Sequence, residues 1–161
     1  MKQHQSTLGK SDEWITPPYI IKSLGDFDLD PCNCINPPFK TAKNSYTILD
    51  DGLNRDWYGR VWLNPPFNRK IRPLWMEKMS IHNNGIMLIP AACETKPFKE
   101  FVFSNCSGIL MLDHRPHFLY SNGMKAKANS GCTICLVAYG ENNLESLIKS
   151  GLGQVLTRVN Y

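Results

Sequence analysis

The chain has 161 residues, 42% hydrophobic and 20% charged, with a formal net charge of +4. That suffices for one domain with its own core, leaves no room for a second of ordinary size, and excludes disordered or collagen-like compositions. No apolar run reaches the roughly 18 residues of a membrane helix, and the polar start Met1-Lys2-Gln3-His4-Gln5-Ser6 lacks a signal-peptide core, so no membrane association and a cytoplasmic location are expected. The mild basic excess permits contact with a polyanion without demanding it.

Residues 1–12 are polar and predict a flexible lead-in to a single domain over 13–161. Thr16-Pro17 has the form of a helix start: a capping hydroxyl, then a proline at the first helical position. Ile20, Ile21 and Leu24 form the helical stripe, and Gly25 ends it. The exposed N–H groups of such a start also suit an anion such as a carboxylate. Phe27-Asp28-Leu29-Asp30-Pro31 alternates apolar and acidic residues and predicts a strand. The polar run Cys32-Asn33-Cys34-Ile35 then leads into Asn36-Pro37-Pro38-Phe39, which is read as a loop. Residues 40–59 are polar, with a short helix expected near 41–46. Asp50-Asp51-Gly52-Leu53 is either a plain turn or an acid offered to a ligand amine.

Val61-Trp62-Leu63 predicts a buried strand, which Asn64-Pro65-Pro66-Phe67 terminates because the prolines cannot continue a ladder. An amide side chain is thereby set at the carboxyl edge of a sheet, where ligands bind in open α/β folds. Proline nitrogens carry no N–H, so this turn offers carbonyl acceptors. The side-chain oxygen of Asn64 and the carbonyl of Pro65 suit the two N–H groups of an exocyclic amine. Such acceptors would draw its nitrogen toward tetrahedral geometry and free its lone pair, while Phe67 stacks on the ring, worth about 1–3 kcal/mol per base. A base reaches such a pocket only by leaving the duplex. The alternative is a proline-rich strand exit without chemistry. The two Asn-Pro-Pro-Phe copies have unrelated flanks and do not mark a repeat architecture.

Asn68-Arg69-Lys70-Ile71-Arg72 places three cations beside this turn, which suit phosphates flanking an extruded base or simply a solvated loop. A helix is expected from Pro73 to His82, a central parallel strand at Gly85–Pro90, a helix at 96–104 and a strand at Gly108–Asp113. His114-Arg115-Pro116-His117-Phe118-Leu119-Tyr120, the turn Ser121-Asn122-Gly123, then Lys125, Lys127 and Asn129 mix aromatics with bases, as nucleic-acid contacts do. Phe118 is the expected second wall of the base pocket. A strand at Cys132–Tyr139, a helix at 143–149 and an edge strand at 154–159 complete the chain. Cys132 and Cys135 lie three apart on a strand and so face opposite sides, and no Cys/His pair complements Cys32 and Cys34. All six cysteines are read as reduced, mostly buried thiols with no metal site.

In order, Glu13-Trp14-x-Thr16-Pro17, Phe27-x-Leu29-Asp30-Pro31-Cys32, Asp50-Asp51-Gly52-Leu53 and Val61-Trp62-Leu63-Asn64-Pro65-Pro66-Phe67 resemble the phage-type DNA N-6-adenine-methyltransferase family. Arg115-x-x-Phe118 and Lys125-Ala126-Lys127-Ala128-Asn129 extend the resemblance, which runs from Glu13 to Tyr139. It implies a Rossmann-like α/β domain with a mixed, mostly parallel sheet and flanking helices. It also implies methyl transfer from S-adenosyl-L-methionine to N6 of a flipped adenine in DNA, in host cytoplasm for a phage-encoded chain. Asn64, Pro65, Pro66 and Phe67 would be catalytic; Trp14, Thr16, Pro17, Asp30, Pro31, Cys32 and Asp51 would hold the cofactor. Arg69, Lys70, Arg72, Arg115, Phe118, Lys125 and Lys127 would meet the nucleic acid. One departure is visible: Cys32-Asn33-Cys34 stands where the family carries glycines after Asp-Pro. The rivals are another planar amine or amide (cytosine N4, RNA adenine, protein glutamine) and a non-catalytic nucleic-acid-binding protein with a decayed site.

Overall fold

The computed structural model describes residues 14–157; the expected lead-in and the last residues of the tail strand lie outside that range. The elements run α1 (Pro18–Leu24), β1 (Leu29–Asp30), β2 (Asn44–Ser45), β3 (Val61–Leu63), α2 (Arg72–His82), β4 (Gly85–Pro90), a π-helical turn (Phe98–Phe103), β5 (Gly108–Leu112), β6 (Ile134–Tyr139), α3 (Glu141–Ser150) and β7 (Gly153–Thr157). No helix among the described residues is long and apolar enough to cross a membrane.

The strands form one sheet in the order β2-β1-β3-β4-β6-β5-β7. The ladders β1–β2, β1–β3 and β3–β4 are parallel, whereas β4–β6, β5–β6 and β5–β7 are antiparallel and longer. The expectation of a mostly parallel sheet is therefore corrected: paired residue for paired residue, the sheet is mostly antiparallel. The cause lies in the loop over residues 113–133, which leaves β5 and enters β6 at the same sheet edge. β6 must then run backwards, and it slots between β4 and β5, bonding to both. An all-apolar run such as Ile134–Tyr139 shows burial but carries no direction.

Alternation along the strands sorts the core into two layers. Val61, Leu63, Met87, Ile89, Val137 and Tyr139 face one side with α2 and the π-helical turn, through Trp75, Met76, Met79, Phe98 and Val102. Trp62, Ile86, Leu88, Leu136 and Ala138 face the other with α1 and α3, through Ile20, Ile21, Leu24 and Leu147. The sheet thus has helices on both faces, and only its ends are free to build a site.

Three local expectations are also corrected. Residues 41–46 hold no helix; Asn44-Ser45 pairs in parallel with Leu29-Asp30, and both of its side chains are exposed. The helix expected at 96–104 is a wide π-helical turn. Thr16 does not cap α1: Pro17 occupies the cap position, without a side-chain cap bond. The expectation of mostly buried cysteines is also corrected: only Cys34 and Cys135 are buried, Cys93 is exposed, and Cys32, Cys106 and Cys132 are half-buried.

Candidate active site

The parallel strands β1 and β3 end side by side, and the segments leaving them wall a cavity of about 310 Å³. It sits over the carboxyl edge and takes walls from both core layers. Trp14 and Phe67 pack on one layer, Trp75, Cys32 and Leu53 on the other. Of the residues expected at the cofactor and the reacting amine, Trp14, Thr16, Asp30, Pro31, Cys32, Asp51, Asn64, Pro65, Pro66 and Phe67 all line it. Pro17 is buried at the start of α1 and is not part of the wall.

Asn64 is fixed by a single bond. Its Nδ2 donates to the backbone oxygen of Trp14 at 2.6 Å. A carbonyl can only accept, so the amide has one orientation, and that orientation leaves Oδ1 for the cavity. Among the described residues Oδ1 is buried and has no partner. Trp14 is held in turn by its neighbour Ile15, which exchanges two backbone bonds with Leu119. The 113–133 loop therefore reaches the site indirectly, by anchoring the strand that orients Asn64.

Thr16 has 1% of its surface exposed, and its Oγ1 also lacks a partner; the hydroxyl absent from the helix cap stands at the cavity wall instead. Asp30 ends β1. Its carboxylate accepts from the Thr41 hydroxyl and from the backbone N–H of Cys32 at 3.1 Å. Burial pushes its pKa up to about 6, against the two hydrogen bonds, which pull it down.

Gly52 explains how the acidic loop joins the wall. A Cβ there would lie 2.0 Å from the Pro31 carbonyl oxygen, so only glycine lets this loop close on the end of β1. Asp51 beside it has φ of +54° and accepts from Asn54 Nδ2 at 2.7 Å, so turn and cavity wall coexist at this position. The neighbouring Asp50 carboxylate, lowered first by the Thr47 backbone N–H, caps the same loop.

Phe67 lines the cavity with Phe118 edge-on against it, ring centroids 5.6 Å apart and planes at 86°. Phe118 is buried in the core and does not line the cavity, so it supports Phe67 and is not the second wall. Arg72 starts α2 and donates from Nη1 to the Phe67 carbonyl at 3.1 Å. Burial first, then Arg69, lower its guanidinium pKa, and Cys132 offsets them in part. Arg69, Lys70, Arg115, Lys125 and Lys127 are exposed, and none of these cations is in an ion pair among the described residues. Arg69 and Lys70 fall between the lining residues Phe67 and Ile71 in sequence, but none of the five lines the cavity. The first Asn-Pro-Pro-Phe, residues 36–39, is a loop whose Pro38 lies against Gly123 of the 113–133 loop.

Sequence reasoning passed over two contributors. Thr41 sits in a stretch read as helix, yet it supplies the hydroxyl that steadies Asp30. Trp75, on the buried stripe of α2, reads as core but also lines the cavity.

Comparison with known proteins agrees with this arrangement. A family model described as DNA N-6-adenine-methyltransferase (Dam) matches residues 4–150. The chain belongs to that family. A Dam-family relative from Escherichia phage T1, named DNA N-6-adenine-methyltransferase, is 37% identical over 101 residues. The match covers 55% of this chain and 40% of that relative, so the chain spans less than half the relative's length. No solved structure matches the chain.

Proposed function

We propose that this Dam-family chain transfers a methyl group from S-adenosyl-L-methionine to N6 of an adenine extruded from DNA. The observation that carries the reading is the Asn64 amide, whose donor side is consumed by Trp14 and whose acceptor side is buried, unpartnered and at the cavity wall. The wall suits the cofactor: Asp30 offers a carboxylate for an ammonium, Thr16 an unpaired hydroxyl, and Leu53, Ile71 and Trp75 an apolar face. When bound, S-adenosyl-L-methionine supplies an electrophilic methyl group. Asn64 Oδ1 and the Pro65 carbonyl accept the two N–H bonds of the amine, which localises the nitrogen lone pair. Phe67, braced by Phe118, stacks on the base. Alignment is the main contribution of these residues, and no side-chain nucleophile is needed. The N6 proton leaves to water once the nitrogen carries positive charge.

The unpaired cations from Arg69 to Arg72, with Arg115, Lys125 and Lys127, suit DNA phosphates flanking the extruded base. An anion beside Arg72 would offset the strain its burial and Arg69 place on it. The sheet is read as Rossmann-like, with the ligand across strand ends as in open α/β folds.

The test is to incubate the chain with methyl-labelled S-adenosyl-L-methionine and DNA and to separate the nucleosides after digestion. Label in N6-methyladenine is expected. Label in N4-methylcytosine, or only in RNA or protein, would redirect the reading to another planar amine.

A further inference from the structure

We propose that the indole N–H of Trp75 is a hydrogen-bond donor to the nucleoside part of the bound cofactor, and so a binding residue of this site. The inference rests on the S-adenosyl-L-methionine reading above and adds which group recognises which half of the ligand. Trp75 has 8% of its surface exposed, its ring lines the cavity, and its Nε1 has no partner among the described residues. A buried tryptophan N–H ordinarily finds an acceptor, and leaving one unmade costs its full desolvation. The contrast lies next door. Trp57, its ring 6.1 Å away and tilted only 24° from that of Trp75, donates its own N–H to the Gly52 carbonyl at 2.8 Å. One indole of the pair is thus spent on closing the acidic loop, and the other is left over at the cavity.

An indole N–H donates and cannot accept, so the missing partner is a ligand acceptor. The surroundings decide which half of the ligand supplies it. The amino-acid half carries an ammonium, and Asp30, on β1, is the carboxylate for it. Trp75 shares its core layer with Cys32 and Leu53, which line the same cavity, offer no charge and suit a flat ring and its sugar. Gly52 packs against the Trp75 ring there, bringing Asp51 to the same side. A purine ring nitrogen or a ribose oxygen is therefore the acceptor class.

The experiment titrates the full chain and Trp75→Phe, which keeps an aromatic ring and removes the donor together with part of the indole, with S-adenosylhomocysteine; the analogue series separates the two losses. The analogue set replaces one purine ring nitrogen at a time by C–H, or one ribose hydroxyl by hydrogen. The variant should bind S-adenosylhomocysteine about tenfold more weakly, the size of one buried bond. One analogue should lose a similar factor against the wild type and nothing further against the variant. Equal affinity of variant and wild type, or losses that multiply for every analogue, would overturn the proposal. A wild type that binds no S-adenosylhomocysteine would instead overturn the cofactor reading beneath it. Should Trp75→Phe fail to fold, the indole N–H resonance of Trp75 in the wild type takes its place, assigned through the Trp14→Phe, Trp57→Phe and Trp62→Phe variants. It should move downfield and exchange more slowly with S-adenosylhomocysteine. A resonance unmoved at saturation is the contrary result.

Discussion

The two ends of the sheet are built to opposite rules. At the amino end, Arg60 enters β3 with four of its five guanidinium N–H groups in hydrogen bonds: Nε donates to Asn143 Oδ1 at 2.6 Å, Nη1 to the Asp26 carbonyl, and Nη2 to the Leu24 carbonyl and Ser146 Oγ. The Phe27 ring lies under it at 4.2 Å, and the buried Asn143 goes on to bond Asn84 and Tyr139. Among the described residues no buried side-chain polar atom at this end lacks a partner. At the carboxyl end, three buried polar atoms, on Thr16, Asn64 and Trp75, have no partner among the described residues, and Asp30 keeps a buried carboxyl without a cation. Unmet hydrogen bonds cost stability. Concentrated at one edge, around one cavity, they mark surface that a ligand completes.

If this division is right, substitutions at the two ends should separate function from stability. The largest effect is expected from Asn64→Ala. Single-turnover methyl transfer should fall by roughly a hundredfold to a thousandfold, the scale of losing one preorganised group at a reacting atom. Cofactor affinity should stay within about twofold, because the deleted oxygen serves the amine. Unchanged turnover would sever the amide from the chemistry. Arg60→Ala should do the reverse: a loss of roughly 3 kcal/mol in denaturant unfolding, since several partners become orphans at once. Each folded molecule should keep its cofactor affinity. Weaker cofactor binding in proportion to lost stability would mean the ends are not independent.

Asp30 sharpens the contrast because it should pull stability and function apart within one residue. Its folded pKa, about 6, lies above the ordinary carboxyl value, so the folded state holds the proton more tightly than the unfolded chain does. Stability from this group is therefore greatest below about pH 4 and falls as pH rises toward 6. Asp30→Asn should stabilise the fold at pH 7.5 by about 2 kcal/mol, an advantage that closes below pH 4. The same variant should bind S-adenosyl-L-methionine poorly. Wild-type affinity should drop as pH falls below about 6, where the carboxylate proposed to meet the ammonium is protonated. The smallest effects belong to the exposed cations: Arg69→Gln and Lys70→Gln should each weaken DNA binding modestly and reduce the salt slope by about one. A slope unchanged in both would remove that loop from the DNA contact.

How much of this was legible in the sequence depends on where each signal lives. Val61-Trp62-Leu63 and Gly85–Pro90 declare themselves by composition, as do α1 and α2 by their stripes, because burial selects residue types. Asn44-Ser45 carries no such mark: two exposed polar residues join the sheet through backbone bonds alone, which any sequence can make. The reversal of β6 is equally silent, being a consequence of which edge its loop occupies. Both Asn64-Pro65-Pro66-Phe67 and Asp30 line the cavity, but only the former points there by its own chemistry, an amide and two prolines at a strand exit; Asp-Pro ends many strands, and the resemblance alone suggests a site role for it. Thr16 lines the cavity without capping α1, since a hydroxyl beside a helix start can cap it or turn to a cavity, and sequence does not distinguish the two. Phe118, expected as a wall, packs in the core behind Phe67, while Trp75, for which the sequence suggests no site role, lines the cavity, because an aromatic residue near a site fits either place until packing decides.

A calorimetric titration of the full chain with S-adenosyl-L-methionine at pH 7.5 puts the unfinished carboxyl edge to the most direct trial. One saturable site per chain, weakening as the pH drops below about 6, is the predicted result. A titration without heat of binding, in a chain that unfolds cooperatively and is therefore intact, would contradict it.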